Sequence, residues 1–498
     1  MKKWLPLLLL TALFVLFRAP ALLNPGFVNS DGAIAALQAN RMLEGEWEVL
    51  HWARNYLTSF DSVVSLPFFV LFGNTPVVQL WVTVLAQLTS AWLAWSMLAR
   101  RLDPWTALVC TLPLVFTTMA VNIYLFFNIR QWCMALAMGA LWLVDRAPAS
   151  SRPRLLLTSG VVLGFLAMFV DLFAAQLLPG IILFAILIAL DGKWGWRPLT
   201  PVAAGVGLGV GVVWLLRTAA HIHTARAALD LTLIPRNWSL LFDQCLPALV
   251  GSKVYAMEEA GEVFVPQPGG LMALQTLGAI VFGLALSSGA ALFFVKRIPW
   301  GLRALGAMGA GIAFTSLFGF LSSSTAVDLL AGRLLLPVVL AAPFALAPLA
   351  FLAGTPRRLG LVLSPWLLTA AIGGWLSFGA MVNGPLPRRT LRGAMTEDLA
   401  VGEFLRSKGI RYAAADYWLA YRLTFILGEK PIVVPEASED RYPKWRAAFD
   451  REELVAYLIH PSASSLTSEA VESSLVQREL RYEKATVQGY TVLLVHQR

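Results

Sequence analysis

The chain has 498 residues, 57% of them hydrophobic and only 14% charged, with a mean hydropathy of +0.66. A water-soluble enzyme carries roughly 25% charged residues, so the composition excludes a chain that meets water on every side. The net charge of +9 is not a nucleic-acid stripe, because the basic residues fall in short runs between apolar stretches, as orientation signals do in membrane proteins. Cys110, Cys133 and Cys245 sit in or beside apolar segments without close spacing, which gives neither a disulfide framework nor a metal site.

The first apolar run follows Met1-Lys2-Lys3 and extends to Phe17. It has the form of a signal peptide, with Ala19-Pro20-Ala21 as a cleavage-like stretch. Apolar character resumes through Leu23, however, which makes it long enough for an uncleaved first helix. After it, apolar runs fall at 62–98 (broken at Gly73-Asn74-Thr75-Pro76), 104–121, 130–144, 155–171, 174–190, 200–217, 270–295, 303–321, 329–353 and 359–381. With the first, that predicts about eleven spans.

Orientation follows from the basic residues. With a cytoplasmic N-terminus, the inner connections carry Arg100-Arg101, then Arg146, Arg152 and Arg154, then Lys193 and Arg197, then Lys296-Arg297 and Arg303, and last Arg357-Arg358. The short outer connections near 122–129, 172–173 and 322–328 carry no basic residue. Three longer segments then lie outside: 24–61, 218–269 and the tail from about 383 to 498. The expected architecture is an all-α polytopic membrane domain over 1–382, in a cell membrane, and a small α/β domain outside it over 383–498. The likeliest junction is Pro385-Leu386-Pro387-Arg388-Arg389.

In the tail, Thr396 to Lys408 reads as a helix stopped by Gly409. Strands are expected at Tyr412–Ala415, Pro431–Val434 and Leu454–Ile459. A helix near 467–480 and a hairpin of Arg481–Val487 with Tyr490–His496 complete it.

The first outer loop holds the most chemistry. Ser30 or Asp31 can cap a helix beginning near Ala33, and Gly45 can end it; its weakly amphipathic pattern suits a membrane surface. Asp31 then reads either as an N-cap or as a general base, a role that a carboxylate near apolar surface fills well. Asp61, at the outer start of the next run, has the same two readings.

The stretch Asp31-Gly32-Ala33 to Gly45-Glu46-Trp47, with Tyr56 to Asp61 and Leu71-Phe72-Gly73, resembles the start of the GT-C fold glycosyltransferases. These are the lipid-linked-sugar enzymes related to protein O-mannosyltransferases and lipid A aminoarabinose transferases. Two later stretches are also similar. Asp328 to Pro337 resembles the family's Gly-Arg-Tyr-Leu-Leu-Pro helix start, and Ala415 to Phe425 resembles the outer-domain segment of uncharacterised bacterial relatives. The resemblance implies a GT-C-like membrane domain and transfer of a sugar from a polyprenyl-phosphate donor to an acceptor hydroxyl. That acceptor would be an envelope glycan, lipid or protein outside a bacterial cytoplasmic membrane. Direct displacement with inversion is part of what it implies. It gives Asp31 the base position, Asp61 that of an assisting acid, and Tyr56 a place beside substrate in a Tyr-x-Gly-x-x-Glu-like motif.

The chain departs from the family in having Asp31-Gly32 where relatives carry paired acids, and Asn128 where some carry an acid. The first outer loop has no Asp-x-Asp, so no divalent metal or other cofactor is expected. A donor phosphate needs fixed positive charge at the outer interface. Arg130 and Arg333 lead the candidates, followed by Arg217 and Lys253, with His221 and His223 in the large loop; each also reads as a lipid-headgroup contact. The two histidines lack the carboxylate or cysteine that a metal site needs nearby. Membrane lipid, the lipid-linked donor and the acceptor are the expected partners, and nucleic acid is not one. The rival functions are a transporter or lipid flippase, which predicts internal repeats and mid-bilayer charges, and a catalytically degenerate scaffold.

Overall fold

A computed structural model describes residues 4–23, 26, 28–54, 57–116, 130–191, 200–219, 229–258, 261–383, 394–436, 440–461 and 466–497. Among them, nine helical stretches are long and apolar enough to cross a membrane. The chain opens with α1 (Leu5–Leu22), α2 (Ser30–Leu43), α3 (Phe60–Phe72), α4 (Pro76–Leu98) and α5 (Pro104–Val115). Next come α6 (Gln131–Arg146), α7 (Pro153–Val170), α8 (Leu178–Leu190, entered through a 3-10 turn at Leu172–Leu177) and α9 (Thr200–Ala219). Of these, α3 and α5 are shorter apolar helices. The expected break between α3 and α4 is present at Gly73, whose φ of +84° needs a residue without a Cβ.

Residues 229–258 and 261–264 contain two short helices, α10 (Ile234–Ser239) and α11 (Leu246–Val250), and a hairpin of β1 (Tyr255–Glu258) with β2 (Gly261–Phe264). The remaining membrane helices are α12 (Gly269–Ala291), α13 (Trp300–Leu321), α14 (Leu336–Ala345), α15 (Ala347–Ala353) and α16 (Pro356–Asn383). The expected junction at 385–389 lies outside the described residues.

Small residues set the spacing of these helices. A Cβ on Gly205 would stand 2.5 Å from the Val161 carbonyl oxygen, and one on Gly209 would stand 2.5 Å from that of Phe165. These glycines let α9 approach the backbone of α7, the packing that membrane helices favour where apolar burial gives no net drive. A buried charge adds a second tie. Arg18 in α1 donates to Gln87 on α4 at 2.8 Å and to the carbonyls of Leu114 and Val115 on α5 at 3.1 and 3.2 Å. Its guanidinium is thereby satisfied inside the bundle.

The tail folds as α17 (Ala394–Ser407), β3 (Tyr412–Ala415), α18 (Tyr417–Ile426), β4 (Ile432–Pro435), α19 (Pro443–Phe449), β5 (Leu454–Ile459), α20 (Ser468–Gln477), β6 (Arg481–Val487) and β7 (Tyr490–His496). The sheet order is β4-β3-β5-β7-β6. Strand β3 runs parallel to β4 and β5, while β7 pairs antiparallel with β5 and β6. The parallel pairing of β3 with β4 requires a crossover, and α18 supplies it. That helix is absent from the sequence expectation, as is α19.

Candidate active site

Asp31 owes its position to a capping switch. The expected cap was Ser30 or Asp31, but Asn29 takes the role, its side chain accepting from the Gly32 N–H at 2.9 Å. The helix therefore starts earlier, and Asp31 lies in its first turn with its carboxylate released from backbone duty. A second correction concerns the surroundings of α2. The helix does not lie on an open membrane surface: Ala33 to Ala39 are all buried, because α18 of the tail domain packs against it.

The Asp31 carboxylate accepts a hydrogen bond from the Tyr417 hydroxyl at the start of α18. Burial raises its pKa, and the Tyr417 hydrogen bond with the charges of Arg54, Arg333 and Arg130 opposes that rise. Arg54 belongs to the segment between α2 and α3, Arg130 precedes α6, and Arg333 lies in the 3-10 turn Leu329–Leu335 that leads into α14. Three cations from three separate parts of the chain thus act on one acid at one end of the helix bundle.

Arg130 has a second partner. Its Nε stands 3.5 Å from Asp171 Oδ2, and its guanidinium lies 4.6 Å from the Phe173 ring centroid. Asp61 is placed beside this pair rather than in the open. It is 1% exposed, and neither carboxylate oxygen has a hydrogen-bond partner in another described residue. It is not a helix cap, since Ser59 occupies the N-cap position. Burial, then the like charge of Asp171, push its carboxyl well above the usual range. Asp61 is thus a buried neighbour of Asp171.

The other expected residues scatter. Arg217 lies half-buried in the last turn of α9. Lys253 donates to the Asp243 carbonyl at 2.6 Å and lies 5.8 Å from the Phe264 ring. Tyr56, Asn128, His221 and His223 lie outside the described residues. Among the described residues, no group of three His, Cys, Asp or Glu side chains could hold a metal ion.

The residues that the sequence reading missed are Arg54, Tyr417 and Arg441. Arg441 Nε donates to the Tyr417 hydroxyl oxygen at 3.3 Å, and its Nη1 donates to the Ala53 carbonyl at 3.4 Å. Around this centre the tail domain grips the segment between α1 and α3. Ser30 Oγ donates to the Tyr417 carbonyl at 2.6 Å, and Asn40 donates to Glu429 at 3.0 Å, with Arg41 pairing the same carboxylate. Tyr442 and Lys444 both donate to Glu46 at 2.7 Å, and the Trp52 ring stacks on Tyr442 at 4.3 Å. Only Asp416-Tyr417 as a cap-and-helix start was available as a signal for α18.

Residues 66–216 match the family model described as dolichyl-phosphate-mannose-protein mannosyltransferase. No curated protein matches the chain. Among solved structures, ArnT from Cupriavidus metallidurans in the apo state is similar at 16% identity and a TM-score of 0.58, covering 97% of this chain and 98% of that one. The same protein bound to undecaprenyl phosphate aligns at 14% identity and the same TM-score, covering 98% and 97%. The oligosaccharyltransferase of Archaeoglobus fulgidus in its apo form aligns at 11% identity and a TM-score of 0.46, over 87% of this chain and 64% of that one. With both the membrane bundle and the tail domain inside the aligned length, the chain is a polytopic membrane protein with the ArnT-like GT-C fold.

Proposed function

We propose that the protein is a membrane glycosyltransferase that takes a sugar from a polyprenyl-phosphate donor and places it on an acceptor hydroxyl outside a bacterial cytoplasmic membrane. One observation carries the reading: a single acid, Asp31, under the charges of Arg54, Arg130 and Arg333 where the helix bundle meets the tail domain. An acid of raised proton affinity suits removal of a proton from a hydroxyl. Fixed cations suit a phosphate leaving group, on which negative charge grows as the sugar departs. The match to ArnT, which binds undecaprenyl phosphate, supports the choice of donor.

In this reading the acceptor oxygen attacks the anomeric carbon and the bond from that carbon to the phosphate oxygen breaks. The electron pair leaves with the polyprenyl phosphate, the acceptor proton passes to Asp31, and the configuration inverts. Arg54, Arg130 and Arg333 stabilise the departing phosphate. Asp171 holds Arg130 in place with Asp61 buried beside it, while Arg217 and Lys253 stay outside the reaction centre. The reaction needs no cofactor. The N-terminus is cytoplasmic and the tail domain lies outside.

Asp31→Asn keeps the side chain's shape and removes the base. The expected outcome is loss of transfer by a factor of about 100 or more, with expression and thermal midpoint preserved. It is read by mass spectrometry of envelope glycans and lipids from cells carrying either form. Undiminished product from the variant would overturn the proposal.

A further inference from the structure

The tail domain has no assigned part in the reaction, yet its first crossover helix reaches the proposed base. Two hydrogen bonds run in series from that domain: the Arg441 guanidinium donates to the Tyr417 oxygen at 3.3 Å, and the Tyr417 hydroxyl donates to Asp31 Oδ1. Tyr417 remains a donor, since burial and the adjacent Asp31 charge push its own pKa well above the usual value. Both residues also touch the segment that holds Asp31: the Tyr417 backbone carbonyl accepts from Ser30 Oγ, and the Arg441 guanidinium donates to the Ala53 carbonyl.

We propose that Tyr417, oriented by Arg441, is a positioning residue for Asp31, and that docking of the tail domain thereby completes the base. The inference rests on the assignment of Asp31 as base. With Oδ1 held by the tyrosine hydroxyl, the carboxylate is fixed in rotation and its second oxygen is the one left for the acceptor proton. A hydroxyl donating to a carboxylate favours the charged form, so the contact keeps ready a base that burial would otherwise protonate. Without Tyr417 the balance at Asp31 is left to Arg54 on its own loop, Arg130 before α6 and Arg333 before α14. Behind Tyr417 the titratable and charged groups are Arg441, Tyr421 and Asp440; the Tyr421 hydroxyl donates to Asp440 at 2.7 Å and accepts from the Arg441 backbone N–H at 2.5 Å.

The experiment is an infrared titration of the full-length protein in lipid nanodiscs, which requires no substrate. The carboxyl band of Asp31 is the one that Asp31→Asn removes. Tyr417→Phe keeps the ring and deletes only the hydroxyl. It is expected to move the midpoint of that band upward by about one pH unit, the scale of a lost hydrogen bond to a charged group. Glu429→Gln, which loosens the grip on Asn40 and Arg41 at the far side of the docking surface, is expected to move it in the same direction by less. It serves as the readout if the tyrosine variant fails to fold.

An unmoved midpoint overturns the proposal and leaves Tyr417 as a docking contact only. Absence of any titrating band assigned to Asp31 overturns it as well. The two levels separate cleanly. Full transfer by Asp31→Asn sinks the functional reading, whereas an inactive Asp31→Asn with an unmoved Tyr417→Phe midpoint sinks the positioning role alone.

Discussion

At the scale of single residues, the stretch from Asp31 to Asp61 shows how burial sets chemistry. Asp31 and Asp61 carry the same functional group, but the first is only half-buried and faces a tyrosine and three arginines, while the second has no hydrogen-bond partner in another described residue and a like charge nearby. His51 is the basic counterpart in this stretch. It is buried, its Nδ1 has no hydrogen-bond partner among the described residues, and burial, then the charge of Arg54, lower its pKa to about 3. Above the ordinary value of 6.5 the folded and unfolded states both hold it neutral and no penalty arises. Below that, the unfolded chain takes a proton that the folded chain refuses until about pH 3, so stability falls as pH drops through this window. The slope is about 1.4 kcal/mol per pH unit. Thermal midpoints measured between about pH 6 and pH 5 should fall in the native protein, and His51→Gln should flatten that fall by one proton's worth.

At the scale of elements, helix α9 offers a controlled comparison of packing against exposure. Gly209 and Gly207 lie two residues apart on the same helix. A Cβ on Gly209 would meet the Phe165 carbonyl oxygen at 2.5 Å and Met168 Cβ at 2.9 Å, while one on Gly207 would meet nothing within 4 Å. Gly209→Leu should push α9 away from α7 and cost about 3 kcal/mol, read as a lower thermal midpoint in detergent. Gly207→Leu should leave the midpoint unchanged. This is also the scale at which the sequence was most legible. Four strands of the tail sheet, β3, β5, β6 and β7, begin and end where alternation and turn residues put them, and Gly409 stops α17 as expected. Helix α18 was hidden because Tyr417 to Phe425 is mostly apolar on all sides, a pattern that gives no period; the reason is that six consecutive positions from Leu419 to Thr424 are buried, between the sheet and α2.

At the scale of the whole molecule, the tail domain depends on a buried ion pair and a tyrosine hydroxyl spread over three elements. Asp398 on α17 pairs with Arg422 on α18 at 2.5 Å and accepts from the Tyr490 hydroxyl on β7, and both charged side chains are buried. Asp398→Ala would leave the Arg422 guanidinium buried without its counter-charge, a loss of about 3–5 kcal/mol. The expected result is a tail domain cut by protease at temperatures where the native domain resists, with the membrane bundle intact. Long-range placement explains what the sequence did not disclose of the candidate site. Asp31, Arg130 and Arg333 stood out locally, as charges at the ends of apolar runs. Nothing local joined Tyr417 to Asp31, because the two are separated by 386 positions and meet only through the docking of a separate domain.

That separation has a consequence for biogenesis. Asp31 leaves the ribosome 386 residues ahead of the tyrosine whose hydroxyl meets it. Until Tyr417 has been made and its domain has folded, the nascent protein holds that carboxyl group without its partner. Order of synthesis thus delays the contact of Asp31 with Tyr417 until the membrane helices between them have been made.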